Sequence, residues 1–225
     1  PFFHGGAMAS DVEICNMALS HLGADATVAS IDPPEGSAQA EHCARFFPIA
    51  RDSLLEMPDA AWRFATRRAQ LAQLTCDWEA WDYAYAIPAD LLRVIAVMPS
   101  DADDDYVAVS QTGSAELVTS SVPQPYTVEI NDDGALVIYT DQENAIVRYT
   151  ALVSDTARFS PLFVLALSWH LAGLLAGQVI KGDAGAAEAK RCAAMMQAYL
   201  AKAAASDARQ HMARPAHSVG WIAGR

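Results

Sequence analysis

"DWEAWDYAYAIPADLLRVIAV", residues 77–97, is where the chain stops reading as helix and begins to read as sheet. Two Trp and two Tyr precede Pro88, and an aliphatic run follows. From Thr75 onward the apolar period is two. The runs "YAYAIP", "RVIAV", "YVAVS", "AELVT", "YTVEI", "ALVIYT" and "AIVRYTA" are short, rich in β-branched and aromatic residues, and divided by turn residues, which predicts strands. Between two of them lies "NDDG", residues 131–134, whose Asp133-Gly134 pair is a hairpin signal because both residue types tolerate positive φ.

Upstream the period is helical. Ser10 with Glu13 forms a capping box, Val12, Cys15, Leu19 and Leu22 share one face, and Gly23 supplies a stop. "SIDPPEG", residues 30–36, is a loop because paired prolines fit neither a helix interior nor a central strand. A second helix is expected from Ser37, with Ala40, Cys43, Phe47, Ala50, Leu54 and Met57 on one side and a kink at Pro48. The spacing of Trp62, Ala65, Ala69 and Ala72 in "AAWRFATRRAQLAQL" predicts a third.

Downstream, "FSPLFVLALSWHLAGLL" opens with Ser160 as cap and Pro161 at the first helical position, and an Ala-rich helix is expected over about residues 184–208. The fold class is therefore α+β: a helical bundle built from both ends of the chain with a small antiparallel β unit inserted. The expected divisions are residues 8–76 and 156–212 for the two helical parts, 77–155 for the β unit and 213–225 for a C-terminal tail. Residues 1–7, "PFFHGGA", have neither a basic segment nor an apolar run of signal-peptide length, and read as a remnant of expression.

Of the net charge of −12, residues 77–155 hold fifteen acids against only Arg93 and Arg148, so this segment alone is thirteen charges negative. That field repels nucleic acid and disfavours DNA binding through a basic patch. The run at residues 161–180 contains Ser168, His170 and Gln178, and reads as a buried helix rather than a membrane span. Cys15, Cys43, Cys76 and Cys192 are scattered without a C-x-x-C pair, which argues for reduced thiols, the first two as small buried hydrophobes.

The acids Asp101, Asp103, Asp104 and Asp105 imitate a calcium loop, but Tyr106 stands where glycine is needed and Thr112 where a bidentate glutamate belongs. They read as a solvated hairpin tip. No zinc-protease, nucleophile-elbow, phosphate-loop or dinucleotide motif occurs, so no catalytic residue, cofactor or metal ligand is assigned. His170 reads as a core histidine bonded to a neighbour. Paired carboxylates are plentiful, which keeps open a glycan hydrolase acting on cell walls.

Three stretches taken together carry a resemblance. "CNMALSHLG" (residues 15–23) within the first helix, "WRFATRRAQLA" (62–72), and "YAYAIPADLLRV" (83–94), followed by "FSPLFVLALSWHLAGLLA", resemble the head-to-tail adaptor family of tailed phages, the tubular tail protein A of short-tailed phages and its relatives, over about residues 12–207. The resemblance implies a non-enzymatic virion protein, made in the bacterial host cytoplasm and residing in the neck of the particle. It implies partners in the portal protein and in a tail nozzle or other tail protein, a ring of commonly twelve copies, DNA only passing through the channel, and no membrane.

Two groups are candidates for contact. Trp78 and Trp81, with Tyr83 and Tyr85, are expected to pack the β unit onto the helices, and Trp78 and Trp81 are also interface candidates because aromatic side chains anchor interfaces. The tail carries Arg214, His217, Trp221 and Arg225 and no acid, a composition suited to a neighbouring acidic surface. The free chain is expected to be monomeric at micromolar concentration and to assemble on its portal.

Overall fold

The computed structural model describes residues 9–25, 27–57, 62–100, 102 and 123–210. Among them are four helices, α1 (Asp11–His21), α2 (Ala38–Glu56), α3 (Pro161–Val179) and α4 (Asp183–Ala208). Seven strands accompany them: β1 (Thr66–Gln70), β2 (Gln73–Leu74), β3 (Tyr83–Ala86), β4 (Leu91–Met98), β5 (Tyr126–Ile130), β6 (Leu136–Thr140) and β7 (Ile146–Ala151). The fold is mixed α and β. Residues up to Thr66 and from Thr150 to Ala208 belong to one compact unit, and Arg67 to Tyr149 to a second.

Local chemistry starts and stops the helices of the first unit. Ser10 Oγ accepts from the Glu13 N–H at 3.2 Å while the Glu13 carboxylate accepts from the Ser10 N–H at 2.7 Å, satisfying two of the otherwise unpaired donors at the start of α1. At its other end Ala24 N–H reaches Leu19 O and Gly23 N–H reaches Ser20 O, a pattern that needs the left-handed φ of +71° at Gly23. Ser37 and Ser160 cap α2 and α3 in the same way as Ser10, and α2 continues through Pro48.

α3 is buried nearly all round, from Phe163 through Ala176, because it packs against α1, α2 and α4. By length and composition it is apolar enough to cross a membrane, and more than half of it is buried inside the protein, as expected of a buried helix. Beside it Trp62, Phe64, Phe159 and Phe163 form an aromatic cluster with centroids 4.8–5.8 Å apart. The fully buried Trp62 indole donates to Leu54 O at 2.9 Å, so its one polar group is satisfied.

The expected third helix does not form. Trp62 anchors a turn, Ala65 N–H to Trp62 O, and the following residues become β1 and β2. Pairing of β1 with β7 overrides the helical preference of Ala, Arg and Gln in this stretch, so the expected helical segment 8–76 gives way to sheet at Thr66.

The second unit contains a four-stranded antiparallel sheet ordered β2-β3-β6-β5, and a three-stranded sheet ordered β1-β7-β4 adjoins it in sequence. The hairpin between β5 and β6 forms at "NDDG" as expected. Gly134 adopts φ +79°, Gly134 N–H bonds Asn131 O, and Asn131 Oδ1 takes the Ala135 N–H at 2.8 Å. The expected strands at "YVAVS" and "AELVT" lie outside the described residues.

Candidate interaction surface

The four-stranded sheet has two unlike faces, fixed by its register. Ala84, Tyr139 and Thr127 stand opposite one another across β3, β6 and β5, as do Ala86, Val137 and Glu129. On this face Ala84, Val137 and Tyr139 form a small core, with Cys76 and Trp81 packed against it. Trp78 meets Tyr139 edge-on, centroids 5.5 Å apart, and remains 42% exposed.

A turn joins the two indoles, Trp81 N–H to Trp78 O at 3.1 Å, and the Cys76 thiol donates to Trp81 O at 3.1 Å. Trp78 and Trp81 are thus brought together on the small core of the four-stranded sheet. Tyr83 stacks on Tyr85, which is buried and donates to Gln142 O at 2.8 Å.

The opposite face carries Tyr85, Ile138 and Val128 in one row and Tyr83, Thr140 and Tyr126 in the next, with Ile130 facing Leu136 toward the hairpin. Ile138 and Thr140 are fully buried, but the row thins toward β5: Tyr126 and Val128 are 36% exposed, Leu136 49% and Ile130 69%. This apolar edge was not singled out from the sequence. Its signal is the alternation of "YTVEI", which says that one face is apolar and cannot say whether anything covers it.

The "IPAD" turn resolves into a structural node. Leu91 N–H bonds Pro88 O, and the Asp90 carboxylate accepts from the Tyr149 hydroxyl at 2.9 Å and pairs with Arg67 at 2.5 Å. Burial, and then the bond to Asp90, push the Tyr149 phenol above its ordinary range. One short side chain thus ties residues of β1 and β7 to the start of β4.

In the first unit a hollow of 510 Å³ runs along α1, lined by Ala9, Glu13, Asn16, Met17, Ser20 and His21. Its polar side chains are already engaged: Glu13 with Ser10, Asn16 in a two-bond clamp on Val28, Ser20 with Asn16 O, and His21 Nε2 with Ser168 Oγ at 3.0 Å. The hollow therefore presents structural bonds and no converging reactive pair.

The His21 ring stacks on Trp169 at 3.6 Å, and the Arg191 guanidinium lies 5.0 Å from the Trp169 ring while donating to His21 O. Burial, and then the Arg191 charge, hold His21 below its ordinary value; burial alone does the same to His170, whose Nε2 lies 3.0 Å from Ser53 Oγ. His170 is thus bonded to a neighbour, as expected. Cys15 and Cys43 are fully buried, as expected, and their mutual hydrogen bond, with burial, raises the Cys15 thiol far above its usual range.

No group of three or more His, Cys, Asp and Glu side chains among the described residues is placed to hold a metal ion. Asp101, Asp103, Asp104 and Asp105 lie outside the described residues, as do Arg214, His217, Trp221 and Arg225. Compared with known proteins, the chain matches no protein-family model and no curated protein at a significant level.

Proposed function

We propose that this chain is a structural subunit of a tailed-phage particle, a head-to-tail adaptor without enzymatic activity that forms a ring between portal and tail. The finer architecture belongs to the same proposal: a helical bundle assembled from both ends of the chain, with the β unit as an insertion. In this reading the portal protein and a tail protein are its neighbours, the ring holds about as many copies as is usual in the family, and DNA passes through without being bound.

The observation that carries the reading is where the resembling motifs fall. "CNMALSHLG" supplies the buried face of α1, the Asn16 clamp and the Gly23 stop, and "IPAD" supplies the Asp90 node. They are packing and turn devices, which suit a subunit whose role is structural. Charge supports it as well: residues 94–147 contain no Lys, Arg or His, so this stretch repels a phosphate backbone.

Electron microscopy of the full chain mixed with its portal protein tests the proposal. Rings seated on the portal are expected. A chain that ignores the portal and instead clears peptidoglycan would overturn it in favour of glycan hydrolysis.

A further inference from the structure

β5 has β6 on one side; on the other, among the described residues, only Gln124 just before the strand is bridged, its N–H bonding Val97 O of β4, and no strand pairs with Tyr126–Ile130. In the hairpin Asn131 N–H bonds Ala135 O, and hydrogen-bonded pairs alternate along an antiparallel ladder. Glu129 and Thr127 therefore spend their backbone groups on β6, while the N–H and C=O groups of Tyr126, Val128 and Ile130 point to the open edge. The same three residues bear the exposed apolar side chains, continued by Leu136.

Exposed edges are usually guarded by lysine, by proline within the strand, or by a bulge. Tyr126–Ile130 contains neither lysine nor proline. The edge is acidic instead: Glu129 lies on it, Asp132 and Asp133 sit in the adjoining hairpin turn, and no base occurs from residue 94 to 147. Two such edges paired with each other would bring like charges together, which is unfavourable. The chemistry asks for an extended segment with alternating apolar residues and positive charge.

The chain itself carries one. Residues 213–225, "ARPAHSVGWIAGR", place Val219, Trp221 and Ala223 on one register with Ile222 between the last two, hold Arg214 and Arg225, and contain no acid. The fifteen residues beyond Gln210 can span roughly 50 Å when extended, enough to reach a neighbouring molecule. We infer that the open edge of β5 is a docking site for the C-terminal segment of a second copy of this chain, added as an extra strand, with backbone bonds to residues 126, 128 and 130 and Trp221 against Val128, Ile130 and Leu136. The contact is head-to-tail, so it propagates from copy to copy. It concerns copies of this chain alone and stands apart from the portal reading.

The test uses the full chain and a fluorescein-labelled synthetic peptide of residues 211–225, followed by fluorescence anisotropy. Saturable binding is expected, weakened at least tenfold by Ile130→Lys, by Glu129→Lys, and by Trp221→Ala in the peptide. Two edge variants are used so that misfolding of one, checked by circular dichroism, leaves the other to decide. Absence of binding to the full chain overturns the inference, as does equal binding by wild type and both edge variants, or by a scrambled peptide of the same composition. Portal-capping rings without peptide binding would sink this contact and leave the adaptor proposal standing; peptide binding without portal rings would do the reverse.

Discussion

At Gly185 an added Cβ would lie 1.9 Å from the Ile180 carbonyl oxygen, at the turn where α3 hands over to α4. No rotamer relieves a clash with backbone, so Gly185→Ala must displace the start of α4 from its seat. We predict a loss of about 1–3 kcal/mol, read as a lower urea midpoint. Gly177, where an added Cβ meets nothing within 4 Å, is the control, and Gly177→Ala should be neutral or slightly stabilising because alanine favours a helix interior.

His21 and His170 belong to this scale too. Both are held below the ordinary histidine value of 6.5, so the unfolded chain takes up protons more readily than the folded one. Their contribution to stability is present above about pH 6.5 and lost as the pH falls. Urea midpoints should decline between about pH 7.5 and about pH 5, and His170→Gln, which keeps a partner for Ser53, should flatten part of that decline. A midpoint that rises toward acid would contradict it.

Among the elements, β4 owes its start to Asp90. With alanine in its place the mostly buried Tyr149 hydroxyl loses its acceptor and Arg67 its partner, and we expect a cost of about 1–3 kcal/mol. Asp90→Asn keeps an acceptor for Tyr149 and forfeits only the pairing with the half-exposed Arg67, so its cost should stay below about 1 kcal/mol. Equal losses from both variants, measured by urea denaturation, would place the weight on charge and not on the tyrosine bond.

α4 shows a related economy. Its last turn holds Asp207, half-buried, whose carboxylate accepts the Arg63 N–H at 3.0 Å. Burial raises that carboxyl even though the bond and the Arg63 charge lower it. The helix buries only Gly185, Cys192, Met196 and Ala203 along its length, a narrow stripe that suits a helix packed mainly against one neighbour, α3.

For the molecule as a whole, thirteen net negative charges fall in residues 77–155, and only Arg93 and Arg148 offset them there. Self-repulsion of this kind is relieved by salt, because at about 0.5 M ions screen charges beyond a few ångströms. Raising sodium chloride from roughly 0.05 M to 0.5 M should therefore raise the melting temperature by about 2–4 °C, equivalent to roughly 1 kcal/mol for a chain of this size. Calcium at millimolar concentration should add nothing beyond its ionic strength. A calcium-specific rise that disappears when Asp101, Asp103, Asp104 and Asp105 are replaced by Asn would show that those acids bind the ion.

The helices of the first unit and the β5–β6 hairpin were legible in the sequence because their determinants are local. Ser10, Ser37 and Ser160 act within three residues of themselves, Gly23 and Gly134 through their own φ, and Pro161 through a missing N–H. Other features depended on partners far along the chain. Residues 66–70 became strand because β7 pairs with them from about eighty residues on, residues 73–74 because β3 does, and Trp78 and Trp81 found packing because Tyr139 supplies a floor. Asp90 acquired its role from Arg67 and Tyr149, and the edge of β5 its exposure from the order of the strands. Composition and spacing state which groups a segment offers; only tertiary pairing decides which of them are spent, since backbone bonds and buried area come from whichever distant segment arrives.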